Sequence, residues 1–314
     1  MRTLVTVVVS IAFALCLISA PVTTEAAAKP AAKPPAKPAP GPAPAAKPAG
    51  KPSILAPAVP KWDIGDSWKF RSEKNMGKTV TQNLGMFQIT MNLSMAETVS
   101  TYYVTGTEKI DGEDCYALKV IGNQKMNGTY STTQVEGESL GGGLAQASTF
   151  QGTEYRRISD LAFIKTVMHA TGMIQIGGML ASIPVPFESD SITIAKPPIV
   201  QLKFPLTTGE SWHISSTVTT TTSGTTSDVV TITYSYDSKV IGPSIVIAGD
   251  GKKYESVAVS QFGTQTTQSQ SAGVSVEEVK GTLFYAPSIG RIVVDEAEGE
   301  ELLEYVPAEK PKQI

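Results

Sequence analysis

Residues 217–236 read Thr-Val-Thr-Thr-Thr-Thr-Ser-Gly-Thr-Thr-Ser-Asp-Val-Val-Thr-Ile-Thr-Tyr-Ser-Tyr, a run made almost entirely of Thr, Val, Ser and Tyr. Side chains that are branched at Cβ, and aromatic side chains, favour the extended backbone of a strand. Ser223-Gly224 interrupts the run and indicates a hairpin turn. Residues 79–103 have a similar composition with little helical periodicity, so strand signals dominate the chain.

Three further glycine-containing pairs mark turns between strands. Asp111-Gly112 and Asp250-Gly251 are hairpin-type turns, because Asp and Gly both tolerate positive φ. Glu298-Gly299 separates two short segments near the C-terminus and indicates a closing hairpin. No convincing long amphipathic helix follows the first 26 residues. The sequence therefore predicts a mostly-β protein built from antiparallel sheet.

Three motifs recur in the same order and indicate a tandem duplication. They are a Gly-x-Ser-Trp segment that begins a strand, an Asp-Gly turn before a strand that starts with tyrosine, and a Gly-Thr segment that ends in tyrosine. The copies lie at residues 65–68 and 209–212, 111–116 and 250–254, and 152–155 and 281–285. We expect two tandem lobes of curved antiparallel sheet, each like a half-open barrel or a sandwich. Trp68 and Trp212 are expected to fill the cores of these lobes, with ligand stacking as the alternative.

The N-terminus carries a targeting signal. Residues 4–18 are apolar and follow Arg2. A run of about 15 residues suits a signal-peptide core and is shorter than the roughly 20 residues of a membrane-spanning helix. We predict a signal peptide at residues 1–26 and export to the periplasm or cell surface. The alternative is an uncleaved anchor in the inner membrane.

Residues 27–60 form a Pro/Ala/Lys-rich spacer. Proline every few residues prevents helix and strand and favours polyproline II. Residues 27–61 carry six lysines and no acid, whereas residues 62–314 carry 19 basic and 28 acidic side chains. The acidic globular part argues against nucleic acid as a partner. The spacer is either an inert tether or a contact to anionic cell-wall polymer or lipid head groups.

The rest of the chain divides into a first lobe at 61–165, an apolar inter-lobe segment at 166–203, and a second lobe with an acidic C-terminal hairpin at 204–314. Residues 170–187 have too few charges for an ordinary loop and are rich in methionine, which lines adaptable apolar surfaces. The segment either packs between the lobes or forms a groove for an acyl chain or an apolar peptide. The candidate ligand-binding residues are Met173, Ile174, Ile176, Met179, Leu180 and Phe187.

Motifs for catalysis or metal binding are not found. His169 and His213 are the only histidines; His213 is expected to face solvent, and His169 has no acidic or cysteine neighbour in sequence. No Cys/His spacing of a zinc site and no phosphate loop occurs. The sequence therefore predicts no metal, no cofactor and no catalytic residue. Cys115 is expected to be a half-covered thiol without a role.

A resemblance rests on two motifs in the second half of the chain. Residues 204–212 contain Phe-Pro-Leu, then Gly209 and Trp212, and residues 285–290 read Tyr-Ala-Pro-Ser-Ile-Gly. This pattern resembles uncharacterised exported bacterial β-rich proteins, although Ser288 stands where those proteins usually have glycine. The resemblance implies a curved antiparallel sheet, like the half-open barrels of lipoprotein carriers, and brings no assigned activity.

These observations favour an exported, non-enzymatic cell-envelope protein that binds an apolar ligand or a partner protein. One alternative is a structural or adhesive surface module that uses its Thr/Ser-rich strands. Another is a carboxylate-dependent hydrolase with its site between the lobes; changing Asp66 and Glu210 together would not test it, because no substrate is known.

Overall fold

The computed structural model describes residues 54–56, 58–74, 78–84, 87–134, 140–177, 182–225, 227–269 and 273–309. The predicted signal peptide and most of the predicted spacer therefore lie outside the described residues. Within those ranges the secondary structure consists of strands and turns, and no helix is found. In the same ranges, no helix is long and apolar enough to cross a membrane.

The described residues form fifteen strands, and several of them are much longer than the usual five or six residues. Their bounds are β1 Ile54–Ala56, β2 Ser67–Lys74, β3 Lys78–Leu84, β4 Phe87–Ile110, β5 Glu113–Gln134, β6 Leu140–Arg157, β7 Phe163–Gly177, β8 Ser182–Ile199, β9 Leu206–Thr207, β10 Ser211–Gly224, β11 Asp228–Ile247, β12 Lys253–Ser269, β13 Gly273–Ala286, β14 Arg291–Asp295 and β15 Glu300–Val306.

One antiparallel sheet contains thirteen of these strands, in the order β2-β15-β14-β13-β12-β11-β10-β8-β7-β6-β5-β4-β3. β2 also pairs with β4, so the sheet closes on itself, and β3 pairs with the first part of β4. We call this ring the closed sheet. β1 and β9 form a separate two-stranded sheet. The prediction of a mostly-β, antiparallel fold is confirmed.

Side chains alternate between the inside and the outside of the closed sheet, as the two-residue period of a strand requires. In β11, Ile232, Tyr234 and Tyr236 are buried, whereas Thr233 and Ser235 between them are exposed. In this strand the hydroxyl side chains lie on the outer face and the apolar side chains on the inner face.

The predicted hairpins are confirmed at their turns. Asp111 and Gly112, with φ of 51° and 89°, connect β4 to β5, and Gly251, with φ of 76°, lies in the turn from β11 to β12. Gly224 has φ of 126° and ends β10 before its partner β11. Gly299, with φ of 60°, lies in the turn between β14 and β15.

The two Gly-x-Ser-Trp segments make the same backbone hydrogen bonds. The N–H of Gly65 donates to the carbonyl of Val104 at 2.9 Å, and the N–H of Gly209 donates to the carbonyl of Val240 at 2.8 Å. In return, Val104 donates to the carbonyl of Asp66, and Val240 to that of Glu210, both at 2.9 Å. A register shift follows each of the two valines. Two separate stretches of chain therefore fold alike at this point.

A tryptophan cluster closes one end of the interior. It comprises Trp62, Trp68, Phe70, Tyr102 and Tyr116 with their apolar neighbours. The ring centroid of Trp62 lies 5.1 Å from that of Trp68 and 5.1 Å from that of Tyr116. The Trp62 indole Nε1 donates to the carbonyl of Gly290 at 3.0 Å. Trp68 is fully buried, as expected for a core residue.

A tyrosine cluster occupies another part of the interior and includes Ile174, Phe187, Val218, Tyr234 and Tyr236. A third cluster packs the small β1–β9 sheet against the closed sheet through Ala56, Leu206 and Tyr285. Trp212 is only partly buried and contacts both of these clusters.

Strands from both predicted lobes belong to the one closed sheet. Residues 166–203, predicted to lie between the lobes, include most of β7 and all of β8. β7 pairs with β6 and β8, and β8 pairs with β10, so this segment links the strands of the first half to those of the second half.

Gly209→Ala tests the left-handed backbone at the start of the Gly-x-Ser-Trp segments. Gly209 has φ of 85°, and an added Cβ would meet nothing within 4 Å, so the effect of alanine is backbone strain alone. We expect urea denaturation to show a loss of roughly 1–3 kcal/mol in the free energy of unfolding. Gly65→Ala, at φ of 104°, is expected to lose a similar amount.

Gly143→Ala is the matched control, because its Cβ also meets nothing within 4 Å and its φ is not in the left-handed region. Equal stability of the Gly209 and Gly143 variants would contradict the assignment of strain.

Candidate functional site

A cavity of about 280 Å³ lies inside the closed sheet, next to the tryptophan cluster. This volume is near the lower end of the roughly 300–1,000 Å³ that small-molecule sites span. Its wall has an apolar part and a charged part. The apolar part includes Phe150, Phe163, Met168, Phe187, Val218 and Tyr234, and the charged part comprises Glu154, Arg156, Asp160, Arg291, Asp295, Glu298 and Glu300.

The cavity exists because small and polar side chains occupy inward positions of the long strands. Ser100, Gln124, Ser148, Thr193 and Thr220 all line it. Protein interiors are normally packed to the density of organic crystals by large apolar side chains. Hydroxyl and amide groups at these positions leave space that neighbouring side chains do not fill.

Arg156 and Glu154 form a buried ion pair on the inner face of β6. They are two residues apart and so point to the same side of the strand. Arg156 Nε donates to Glu154 Oε1 at 2.5 Å, and the Glu154 side chain is only 6% exposed. A charge-assisted bond of this kind satisfies both partners away from water. Arg156 therefore has its own counter-ion.

Arg291, the first residue of β14, lies among aromatic rings. Its guanidinium carbon is 4.8 Å from the ring centroid of Tyr102, 5.0 Å from Trp68, and 5.3 Å from both Trp62 and Phe70. Ring faces attract a cation but do not replace hydrogen-bond acceptors. Arg291 Nη1 is buried, and within the described ranges it has no hydrogen-bond partner. Among those residues Arg291 also makes no ion pair.

Glu300 faces these charges from β15. Burial raises its pKa from 4.5 to about 7, and the positive charge of Arg291 opposes that rise. The negative charges of Glu298 and Glu154 raise the pKa further. Burial also raises the pKa of the Tyr102 hydroxyl well above its usual value, so this group stays neutral. Glu300 thus changes its charge near neutral pH inside the protein.

The chain that follows the predicted spacer covers this charged end. The N–H of Trp62 donates to Tyr116 Oη at 3.1 Å, in addition to the indole bond to Gly290. Gly290 has φ of 65°, and a Cβ there would lie 2.8 Å from the Pro60 side chain. Residues 60–62 are therefore packed directly against the residue that precedes Arg291.

The structure brings together some of the predicted ligand-binding residues. Ile174, Ile176 and Phe187 are buried in the tyrosine cluster, and Phe187 also lines the cavity. Met173 points outward and is 39% exposed, because it alternates with Ile174 along β7. Met179 and Leu180 lie outside the described residues.

The charged part of the cavity was missed from sequence. Glu154, Arg291 and Glu300 are far apart in the chain and resemble ordinary surface residues of polar hairpins. The available signal was the two-residue period, which places Glu154 and Arg156 on the same strand face as Gly152. Without the strand pairing, that period does not show which face is the inner one.

Both histidines lie in exposed pairs across neighbouring strands. His169 Nδ1 is 2.9 Å from Asp190 Oδ1, and His213 Nδ1 is 2.9 Å from Asp237 Oδ1. The expectation for His213 is confirmed, since its side chain is 53% exposed. His169 has an acidic neighbour in space that sequence proximity does not reveal. In the described part of the chain, no three His, Cys, Asp or Glu side chains come together as a metal site.

Cys115 is fully buried, so the prediction of a half-covered thiol is wrong. Its cross-strand neighbours are Glu108 on β4 and Arg157 at the end of β6. Burial raises the pKa of the thiol, which keeps it protonated and unreactive.

The two carboxylates proposed for hydrolysis do not line the cavity. Asp66 accepts hydrogen bonds from the N–H groups of Asp63 and Ala308, at 2.8 and 2.9 Å, which fixes the start of β2. Glu210 is 3.6 Å from Lys203 Nζ. The contacts of Asp66 and Glu210 therefore stabilise the turns in which the two residues lie.

A second concavity, of about 630 Å³, lies on the outer face across β2 and β4 to β7. Polar side chains dominate its wall, including Lys69, Thr101, Asn123, Gln151, His169 and Thr171. Val99, Ile121 and Phe150 also line it, and it is more open to solvent than the interior cavity.

Glu300→Gln tests the buried carboxylate through the pH dependence of stability. Glu300 has a folded-state pKa of about 7, above the ordinary 4.5. Its contribution to stability is therefore fully present below about pH 4.5 and is lost as the pH rises through 7. The glutamine variant has no charge to bury. We expect the free energy of unfolding of the glutamine variant to exceed that of the wild type by up to roughly 3 kcal/mol at pH 8, and to equal it at pH 4.5.

Urea denaturation at the two pH values measures this difference. Glu304→Gln, at an exposed position of the same strand, is the control and is expected to shift stability equally at both. A Glu300→Gln effect that does not change with pH would show that this carboxylate titrates normally.

Comparison of the chain with protein-family models, with curated proteins and with solved structures finds no match. The resemblance to exported β-rich proteins therefore stays a prediction.

Proposed function

We propose that this chain is a non-catalytic binding protein of the cell envelope that holds a small amphipathic ligand inside the closed sheet. The observation that carries the proposal is the interior cavity, with an apolar wall on one side and, on the other, the Arg291 guanidinium, whose buried Nη1 has no hydrogen-bond partner among the described residues. An enclosed apolar space with a few convergent polar groups is the usual form of a small-molecule site.

The apolar wall supports a hydrocarbon part of the ligand. Phe150, Phe163, Met168 and Phe187 come from three consecutive strands, β6, β7 and β8. Met168 adds a flexible side chain that adjusts to ligands of different shape. Burying hydrocarbon here gains about 0.8 kcal/mol for each CH₂ group removed from water.

Export and tethering belong to the same proposal. Residues 1–26 would direct the chain out of the cytoplasm, and residues 27–60 would hold the closed sheet away from a surface. The spacer ends where Pro60 and Trp62 pack beside Gly290, so the tether joins the molecule at the charged end of the cavity. Its lysines would contact anionic wall polymer or lipid head groups.

We also propose that the closed sheet arose by tandem duplication. The matching hydrogen bonds of Gly65 and Gly209, and the matching register shifts after Val104 and Val240, support this origin. A closed sheet made from two copies would give one interior shared between them.

The outer face supports a second candidate function, a structural or adhesive surface module. Thr219 and Thr221 on β10 and Thr231 and Thr233 on β11 point away from the buried side chains of their strands. Hydroxyl-rich strands of this kind are suited to contacts with polymers. The interior cavity has no role in that function, so loss of ligand binding separates the two candidates.

Ala170→Phe tests the cavity as the binding site. Ala170 lies on β7 and lines the cavity, so a phenyl ring there would occupy part of its volume. We expect the neutral fluorophore N-phenyl-1-naphthylamine to bind the wild-type protein and to bind the variant at least about tenfold more weakly. Fluorescence titration measures both affinities.

Gln175→Phe, at an exposed position of the same strand, is the control and should bind the fluorophore like the wild type. Circular dichroism and urea midpoints establish that both variants are folded. Failure of the wild type to bind, or unchanged binding by folded Ala170→Phe, would rule out the cavity as a ligand site.

A further inference from the structure

We propose that the polar end of the ligand is an oxyanion, a carboxylate or a phosphate, and that Arg291 is the residue that binds it. This inference rests on the proposed function, because it assigns the chemistry of the ligand in the same cavity. Arg291 is a binding residue of the site in this account and has no catalytic role.

Arg291 has a hydrogen-bond donor without an acceptor. A guanidinium has five N–H donors and no acceptor. Arg291 Nη1 is buried, and the part of the chain that the structure describes offers it no acceptor. Buried donors are nearly always paired in folded proteins, so an unpaired one beside an open cavity indicates where a ligand acceptor belongs. The residue lines the cavity directly.

Arg291 also differs from the other arginine of the cavity in its charged neighbours. The other cavity arginine, Arg156, is paired with Glu154 at 2.5 Å. Within the described ranges, no ion pair involves Arg291, which is surrounded instead by the rings of Tyr102, Trp68, Trp62 and Phe70. The planar guanidinium matches the two oxygens of a carboxylate or phosphate in a bidentate arrangement. Among the described residues, no carboxylate lies within ion-pair distance of Arg291, although Glu154 and Glu300 act on it from further away, so an oxyanion could pair with it directly.

The apolar wall of the cavity lies next to Arg291, where it could bind the tail of the same ligand. The cavity extends from Arg291, beside the tryptophan cluster, to Phe187 and Tyr234, which belong to the tyrosine cluster. A ligand with its head on Arg291 would therefore place its tail between the strands that carry the apolar side chains. The geometry fits a small amphiphile of the fatty-acid type better than a ligand that is polar throughout.

The charges around Arg291 give this binding a pH dependence. Arg156 and Glu154 face it from β6, Tyr102 from β4, Glu300 from β15, and the segment after β14 contributes Glu298, with Asp295 ending that strand. Glu300 is mostly neutral below about pH 7 and negative above it. An anionic head is repelled by ionised Glu300, so its affinity is expected to fall as the pH rises from 6 to 8.

Three probes with the same tail and different heads test the assignment: decanoate, decanol and decylamine. Each displaces N-phenyl-1-naphthylamine from the full chain, and the displacement gives its affinity. At pH 6 we expect decanoate to bind about tenfold more tightly than decanol, and protonated decylamine to bind more weakly than either. Arg291→Met is expected to remove the preference for decanoate and to leave decanol binding unchanged.

Arg71→Met is the matched control, because Arg71 pairs with Glu301 on the same closing strands and does not line the cavity. Equal affinities for decanoate and decanol in the wild type would overturn the inference while the proposed function stands. A preference for decylamine would overturn it too. Failure of all three probes and of the fluorophore would instead refute the proposed function.

If Arg291→Met does not fold, Glu300→Gln gives an independent test of where the anionic head of the ligand binds. The wild type is expected to lose decanoate affinity between pH 6 and pH 8, while the glutamine variant keeps it and decanol binding stays constant in both. A decanoate affinity in the wild type that does not change over this range would contradict the placement of the anionic head beside Glu300.

Discussion

The pairing of β2 with both β4 and β15 is the constraint on which the rest of the structure depends. β2 contributes only eight residues, yet Trp68 lies opposite Tyr102 on one side and opposite Tyr305 on the other. Without this strand the sheet has two open edges, and its inner face is exposed to water. Because the sheet is closed, it surrounds an interior space. The cavity, the Glu154–Arg156 ion pair and Arg291 all lie in that space.

The interior combines apolar packing with polar and charged side chains. Three apolar clusters stabilise the closed sheet, but the space between them is lined by charged and hydroxyl side chains that a purely structural core would not contain. Placing a guanidinium that makes no ion pair among the described residues and a carboxylate with a raised pKa in one interior space costs folding free energy. Polar groups that weaken a fold in this way are typical of binding sites, where the ligand restores what the protein alone leaves unsatisfied.

Local sequence patterns predicted the strands and turns well, because they depend on neighbours in the chain. The Thr-rich run at 217–236 and the Asp-Gly pairs are examples of such patterns. Closure could not be predicted, since the partners of β2 lie about 30 and about 230 residues away in the chain. Of the predicted ligand-binding residues, Phe187 lines the cavity, whereas Arg291 was not predicted because it acquires its surroundings from strands distant in sequence. Met173 shows the limit most directly, because composition grouped it with Ile174 and alternation placed it on the opposite face.

A crystal structure of the protein purified gently from its own cells tests the central claim most directly. The account predicts continuous electron density inside the closed sheet, with an oxygen within about 2.7–3.2 Å of Arg291 Nη1 and a tail that passes Met168 towards Phe187. A cavity that contains only separate water molecules, or that is closed by its own side chains, would contradict the claim that this fold exists to hold a ligand.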